Sequence, residues 1–174
     1  CSNYSNNDIE IICVETGVDT LINGRIKKIS HILPENSDFF LTNSDTIFDF
    51  DIDEMYQIHK SHKSLVTLST VEIISTWGLL IENNGKLEGF SRERKVHYLS
   101  SENESSTKGY IYSGISFINK KALKYINEND LRDFEENLYS KIIDMRKASH
   151  YKITGFWYPI DTQKDLDIGS PQNL

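Results

Sequence analysis

Short apolar runs rich in β-branched and aromatic residues alternate along this chain with segments of helical period, and that alternation most restricts its fold. Ile9 to Val14, Asp38 to Thr42, Leu65 to Val71, Tyr110 to Ile118 and Tyr151 to Tyr158 read as strands. Between them, Ile26, Ile29 and Leu33 recur at helical spacing after Gly24 until Pro34 stops them. A second helix starts from an Asp51 or Asp53 cap and runs to about Lys63, with Ile52, Met55, Tyr56 and His59 along one stripe. A short helix is expected over Lys120 to Asn127, a longer one over Phe134 to Lys147, and a final turn from Gln163. Gly78 to Ile81 and Lys86 to Phe90 flank Asn83-Asn84-Gly85, a hairpin signal because Asn and Gly tolerate positive φ. Ser100 to Lys108 is polar and reads as a mobile loop. Strands separated by helices predict an α/β layered fold: a Rossmann-like, mixed, mostly parallel sheet flanked by helices. No Pro-, Gly- or Ser-rich linker divides the 174 residues, so a single domain over 1–174 is the expected organisation.

Charge narrows the partners. Nineteen Lys and Arg stand against 26 Asp and Glu, a net charge of −7, which argues against nucleic acid, whose affinity comes largely from neutralising phosphates. A small phosphate ligand stays open, because a local cation cluster or a metal suffices for it. Cys1 and Cys13 form no disulfide or zinc framework. His59 and His62 sit three apart in a polar helix and are expected to face solvent. With no run of 18 apolar residues and no signal-peptide core, a soluble cytoplasmic protein without membrane contact is the expectation.

In open α/β sheets ligands bind beyond the carboxyl ends of the strands. Asp45 stands there after Phe39-Phe40-Leu41, and Asp161 after Phe156-Trp157-Tyr158. Two carboxylates reaching one crevice from different strands suit Mg2+, which completes its octahedron with water and phosphate oxygens. A lone Asp in either place would more often be a turn former or a helix cap. Asp49-Phe50-Asp51-Ile52-Asp53 resembles a metal cluster, but before an amphipathic helix capping explains it better.

The words around these aspartates add a resemblance. Thr16-Gly17 followed by Thr20 to Lys27 resembles the Thr-Gly…Thr-x-x-Gly-Gly-Arg segment of the bacterial sugar-1-phosphate nucleotidyltransferases (nucleotide-sugar pyrophosphorylases), nearest the glucose-1-phosphate cytidylyltransferases. Phe40 to Thr46, then Asp49-Phe50-Asp51-Ile52 and His59, is similar to Thr-Tyr-Gly-Asp-Gly…Asp-x-Asp-Ile…His of that family. Trp77-Gly78-Leu79 falls where the family carries Phe-Gly-x-Leu, and Gly155 to Thr162 with Asp165 resembles Gly-Phe-Trp-x-x-Met-Asp-Thr…Asp.

The resemblance implies Mg2+-dependent transfer of a nucleotidyl group from a nucleoside triphosphate, CTP first, to a sugar 1-phosphate, glucose 1-phosphate first. Pyrophosphate leaves, and the nucleotide-sugar serves polysaccharide synthesis. Asp45 and Asp161 would hold the metal, and Thr20 and Arg25 would contact the nucleotide. Gly114, Glu135 and either Arg94 or Lys95 would contact the sugar phosphate. Each has a plainer reading too: a first-turn helical Arg, a strand Gly, a first-turn helical Glu and a charged turn.

Departures accompany the match. The Gly-rich phosphate loop of the family is absent, Ser44 and Asn23 replace its glycines, and its Glu-Lys-Pro is blurred to Ser91-Arg92-Glu93-Arg94-Lys95. The chain opens on Cys1 rather than Met, so the expectation is a carboxyl-terminal part of a longer family domain. The partners then expected are a second copy in a homo-oligomer, or a chain that supplies the missing amino-terminal segment. Two further readings remain: a non-catalytic relative sensing nucleotide or sugar phosphate, and a glycosyltransferase using Asp49-x-Asp51 for its metal.

Overall fold

The structure is a computed structural model and describes residues 2–6, 9–74, 79–91, 95–96, 98–100, 106–127 and 130–168. Strands β1 (Ser2–Asn6) and β2 (Ile9–Cys13) form an antiparallel hairpin that pairs Ser2 with Cys13. Helix α1 (Ile22–Ile29) follows and turns Asn23 and Ile26 inward. It ends sooner than Pro34: the Ser30 amide closes back onto the Lys27 carbonyl at 3.1 Å, and the Ser30 hydroxyl donates to the same oxygen at 2.6 Å. Next come β3 (Asp38–Thr42), β4 (Thr46–Asp49), α2 (Ile52–Ser61), β5 (Val66–Val71) and β6 (Ile73–Ile74). The predicted hairpin is β7 (Leu79–Asn83) with β8 (Lys86–Ser91). Asn84 and Gly85 at its tip have φ of 49° and 79°, the two positive values of a type I′ turn.

Strands β9 (Lys95–Val96), β10 (Tyr98–Ser100) and β11 (Ser106–Lys108) are short; β9 pairs with β6, and β10 with β11. The ends of the expected Ser100–Lys108 loop are therefore strand. Residues 101–105, like Trp77-Gly78, lie outside the described residues. Strand β12 (Ile111–Asn119) leads to a 3-10 turn (Lys120–Tyr125), a π-helical segment (Glu135–Tyr139), α3 (Ser140–Asp144), β13 (Ala148–Lys152), β14 (Phe156–Pro159) and α4 (Gln163–Ile168). The expected single closing strand is thus two strands in different sheets.

The main sheet has the order β13-β5-β12-β3. Leu65 bonds Lys147 and Thr70 bonds Ile153, so β5 and β13 run parallel. Asn119 bonds Leu65, and the Ser69 hydroxyl reaches Ile115, which sets β12 antiparallel to β5. Lys120 bonds Ser37 while Asn43 bonds Gly114, so β12 opposes β3 as well. The sheet is mixed, as expected, with one long antiparallel strand inserted among parallel ones.

By its contacts the chain falls into two compact units. Unit 1 comprises Cys1–Leu41, Asp53–Thr67 and Ser116–Ser149; unit 2 comprises Thr42–Ile52, Leu68–Ile115 and His150–Leu174. Met55, Val66, Ile118, Leu138 and Ile142 are buried in unit 1 and carry its core. Phe117 packs edge-on against Phe40, with centroids 5.2 Å apart. In unit 2, Val71, Ile115, Tyr151 and Ile153 are buried, and Phe50 lies 5.6 Å from the Tyr151 ring.

Candidate active site

Strands β4 and β14 form a two-stranded antiparallel ribbon in unit 2. Its register pairs Phe156 with Asp49, Trp157 with Phe48, Tyr158 with Ile47 and Pro159 with Thr46. One step further, the Ile160 amide donates to the Asp45 carbonyl at 2.7 Å. Asp45 and Asp161 therefore leave the same end of one ribbon, on neighbouring strands. Both are exposed. Proline suits position 159, because the ladder's donor to Asp45 comes from the Ile160 amide and none is needed from 159 itself.

The plainer readings of the two aspartates fare differently. Helix α4 is capped by Thr162, not Asp161: the Thr162 hydroxyl accepts from the Asp165 amide at 3.4 Å. In return the Asp165 carboxylate accepts the Thr162 amide at 2.8 Å and hydroxyl at 2.7 Å. This reciprocal capping box leaves the Asp161 carboxylate out of the helix end. The same Asp165 carboxylate takes the Tyr158 hydroxyl at 3.0 Å and the Asp161 amide at 3.3 Å. The Thr162 and Tyr158 bonds hold the Asp165 carboxyl below its usual range, and the Tyr158 phenol is raised by the same contact. Asp45 sits in the β3–β4 turn, where, among the described residues, its carboxylate takes only a long contact of 3.4 Å from the Thr46 hydroxyl.

Two exposed carboxylates suit Mg2+, which takes one or two from protein and leaves its other positions to water and phosphate. No group of three or more His, Cys, Asp or Glu that could hold a metal occurs among the described residues.

Gly114, also in unit 2, has a φ of +82°, and a Cβ on it would meet the Asn43 side-chain nitrogen at 2.8 Å. The group that approaches its backbone is this carboxamide of the β3–β4 turn, which no spacing in the sequence reveals. Lys95 is the strand partner of Ile74; its side chain and all of Arg94 lie outside the described residues.

The remaining expected site residues belong to unit 1. Thr20 and Arg25 are brought together: the Arg25 guanidinium donates to the Thr20 carbonyl at 2.6 Å and the Val18 carbonyl at 3.1 Å. Lys28 joins them, its ammonium 2.7 Å from the Thr16 carbonyl and 3.2 Å from the Thr20 hydroxyl. This second cation, on α1 and reaching the Thr16–Thr20 loop, was not singled out, although its position three residues after Arg25 puts it on the same helix face. Asn23, which stands where the family has Gly, is buried and binds the carbonyls of Asp130 and Arg132 at 3.3 and 3.1 Å. Glu135 is exposed at the start of the π-helical segment.

His59 corrects the expectation of a solvent-facing pair. His62 is exposed, but His59 is buried on the inner stripe of α2, its Nδ1 2.8 Å from the Thr67 hydroxyl. Its Nε2 is 3.3 Å from an Asp38 carboxylate oxygen, yet misaligned for a hydrogen bond. Burial pulls the imidazole below its usual pKa against the pull of Asp38. Burial raises Asp38 in turn, but the Asn119 amide, the Lys60 ammonium and His59 hold it below the carboxylate range.

Known proteins resemble this chain in fold and in sequence. No family model matches the chain. A Bacillus anthracis protein assigned as a glucose-1-phosphate thymidylyltransferase, solved with a sucrose, shares the fold: its TM-score is 0.56 at 14% identity, over 87% of this chain and 60% of that one. The crystal structure of HddC from Yersinia pseudotuberculosis aligns with a TM-score of 0.52 at 18% identity, over 85% and 60%. The chain shares the fold of these two structures. In sequence it is 26% identical over 157 residues to the probable glucose-1-phosphate cytidylyltransferase of Bacillus subtilis, covering 90% of this chain and 57% of that protein. The glucose-1-phosphate cytidylyltransferase of Salmonella typhimurium is 23% identical over 155 residues, covering 89% and 56%. A mannose-1-phosphate guanylyltransferase catalytic subunit beta of Xenopus tropicalis is 26% identical, over 84% of this chain and 39% of its own. The chain thus spans little more than half the length of the cytidylyltransferases it matches. No described helix is long and apolar enough to cross a membrane.

Proposed function

We propose that the protein containing this chain transfers a nucleotidyl group from a nucleoside triphosphate to a sugar 1-phosphate, releasing pyrophosphate. The observation that carries this reading is the β4–β14 ribbon, which delivers Asp45 and Asp161 from one end while Thr162 relieves Asp161 of capping. Asp45 and Asp161 would hold Mg2+, which when bound neutralises phosphate charge and organises the in-line approach. Such transfers need little covalent help; positioning and charge neutralisation supply most of the acceleration. On unit 1, Thr20, Arg25 and Lys28 are the proposed nucleotide contacts, Arg25 supplying a planar, permanently charged group suited to phosphate. Gly114, Glu135 and Lys95 stay assigned to the sugar phosphate through the family resemblance.

CTP and glucose 1-phosphate lead as substrates because proteins named as glucose-1-phosphate cytidylyltransferases stand among the relatives. Relatives named for guanylyl transfer to mannose 1-phosphate make GTP with mannose 1-phosphate the second pair to test. The full-length protein is assayed for pyrophosphate release with Mg2+, each triphosphate and a sugar 1-phosphate panel. Asp45→Asn and Asp161→Asn are each expected to lose roughly 100-fold or more in rate. Triphosphate binding without release across the panel would leave the non-catalytic, ligand-sensing reading in its place.

A further inference from the structure

Beside the ribbon, at the carboxyl ends of β5, β13 and β14, unit 2 is indented by a pocket of about 640 Å3. That size falls within the range of small-ligand sites. Its walls include Val71, Ile111, Trp157 and Tyr158, and two charged side chains, Glu72 and Lys152, line it as well. The charged pair is closed: Lys152 donates to Glu72 at 2.8 Å, with side chains 40% and 20% exposed. None of the motifs that relate this chain to its family contains Glu72 or Lys152, and nothing in the proposed chemistry uses them.

We propose that this pocket takes the neutral, polyhydroxylated ring of the acceptor, and that Glu72 and Lys152 are the specificity-determining residues that read its hydroxyls. The inference rests on the nucleotidyl-transfer reading above. Charge decides which part of the ligand fits. Glu72 and Lys152 cancel, so a phosphate dianion meets no net attraction here and faces a carboxylate. A ring bearing hydroxyls offers both halves of what the pair needs, donors for the carboxylate and acceptors for the ammonium. The apolar and aromatic walls cover the C–H faces of such a ring. The Trp157 N–H is already committed to the Ser113 carbonyl at 2.9 Å, so the indole offers the ring an apolar face rather than a donor.

Continuity gives the orientation. Trp157 and Tyr158 lie on the strand that delivers Asp161, and the Tyr158 hydroxyl reaches Asp165, which in turn holds the Asp161 and Thr162 amides. A ring in the pocket would send its anomeric phosphate along β14 toward the two carboxylates. Among epimers differing at one hydroxyl, an axial and an equatorial group cannot both reach the same carboxylate. A site that hydrogen-bonds a substrate hydroxyl rejects analogues lacking it far more strongly than an apolar pocket rejects a missing methylene.

The test uses the full-length protein, with Glu72→Gln and Lys152→Met variants checked for native circular dichroism and melting. In pyrophosphate-release assays both variants should raise KM for glucose 1-phosphate by roughly 10- to 100-fold. KM for CTP should stay within about twofold, and the order of preference among epimeric hexose 1-phosphates should change. Calorimetric titration with glucose 1-phosphate and, separately, with CTP reads the pocket without turnover: the first should weaken in Glu72→Gln and the second should not. An unchanged acceptor KM, equal losses for both substrates, or a Glu72-dependent CTP isotherm would overturn the assignment; the last would give the pocket to the base. If the wild type releases no pyrophosphate but binds glucose 1-phosphate in a Glu72-dependent way, the transfer reading fails and the pocket stands. Turnover with no Glu72 effect rejects the pocket alone.

Discussion

Gly155 lies directly against the backbone of Asp49: a Cβ at position 155 would stand 1.9 Å from the Asp49 carbonyl oxygen. No rotation of a side chain relieves that contact, because both partners are main chain. Gly155 is where the expected long closing strand breaks, and the break lets β14 leave the main sheet and pair with β4.

Gly155→Ala should therefore force the ribbon apart or strain it, at about 1–3 kcal/mol or more. Gly85→Ala is the reference: φ there is +79° but nothing lies within 4 Å of its Cβ, so only backbone strain remains, about 1 kcal/mol. Urea unfolding of both variants checks the order, and Gly155→Ala should also depress pyrophosphate release more than Gly85→Ala does.

Thr162→Ala removes the hydroxyl half of the capping box and should cost about 1 kcal/mol locally, about a fivefold faster amide exchange at Asp161 to Asp165. Thr162→Ser should retain protection. Because Asp165 is only partly buried, its lowered pKa protects the loop only weakly; the protection is present above the ordinary Asp range and fades as pH falls below it. Exchange measured from pH 7 down to 3 reads this directly.

The buried His59 sets a second pH response. Its folded pKa lies below the ordinary histidine value, so the unfolded chain binds that proton more readily. Stability is full above about pH 6.5 and declines as pH falls toward the folded-state pKa. Asp38, also lowered, adds a loss of the same sign further down, below the ordinary Asp range. Urea midpoints should fall between pH 7 and pH 5 in the wild type, and His59→Gln should flatten that portion while leaving the loss below pH 4.

Asn23→Ala strips two carbonyls, Asp130 and Arg132, of their amide donor. The expected cost is about 1–3 kcal/mol, measured by thermal or urea unfolding. Asn23→Gly, which restores the family pattern, should be no better, because the side-chain bonds and not the backbone shape are what the position supplies here.

Much of this was legible in the residues. Asn84-Gly85 fixed a hairpin because two positive φ values admit few other residues, and Asp38 to Thr42 stood out as a run of aromatic and aliphatic side chains. Asp45 and Asp161 were read as a pair because strand ends concentrate ligands, and the register brings both to one end of a ribbon. Their ribbon was not found: β4 is only Thr46 to Asp49, too short for a period, and it hides between turn-forming and capping aspartates. His59 was read as solvent-facing by its polar helix, whereas its own stripe with Met55 faces inward and Thr67 satisfies its ring. The inward turn of Asn23 depends on partners 107 and 109 residues away, beyond the reach of any local pattern. The split at Gly155 likewise comes from the Asp49 backbone, more than a hundred positions upstream.

The spacing of Asp45 and Asp161 is written in main-chain hydrogen bonds rather than in side-chain packing. Side chains along β4 and β14 can therefore drift in evolution, or be replaced in the laboratory, with stability rising or falling while the separation of the two carboxylates stays constant. A single-residue insertion or deletion between Asp45 and Asp49 acts differently, since it shifts one aspartate a full rung against the other. Indels in that stretch, not substitutions, are the changes to which such an arrangement is least forgiving.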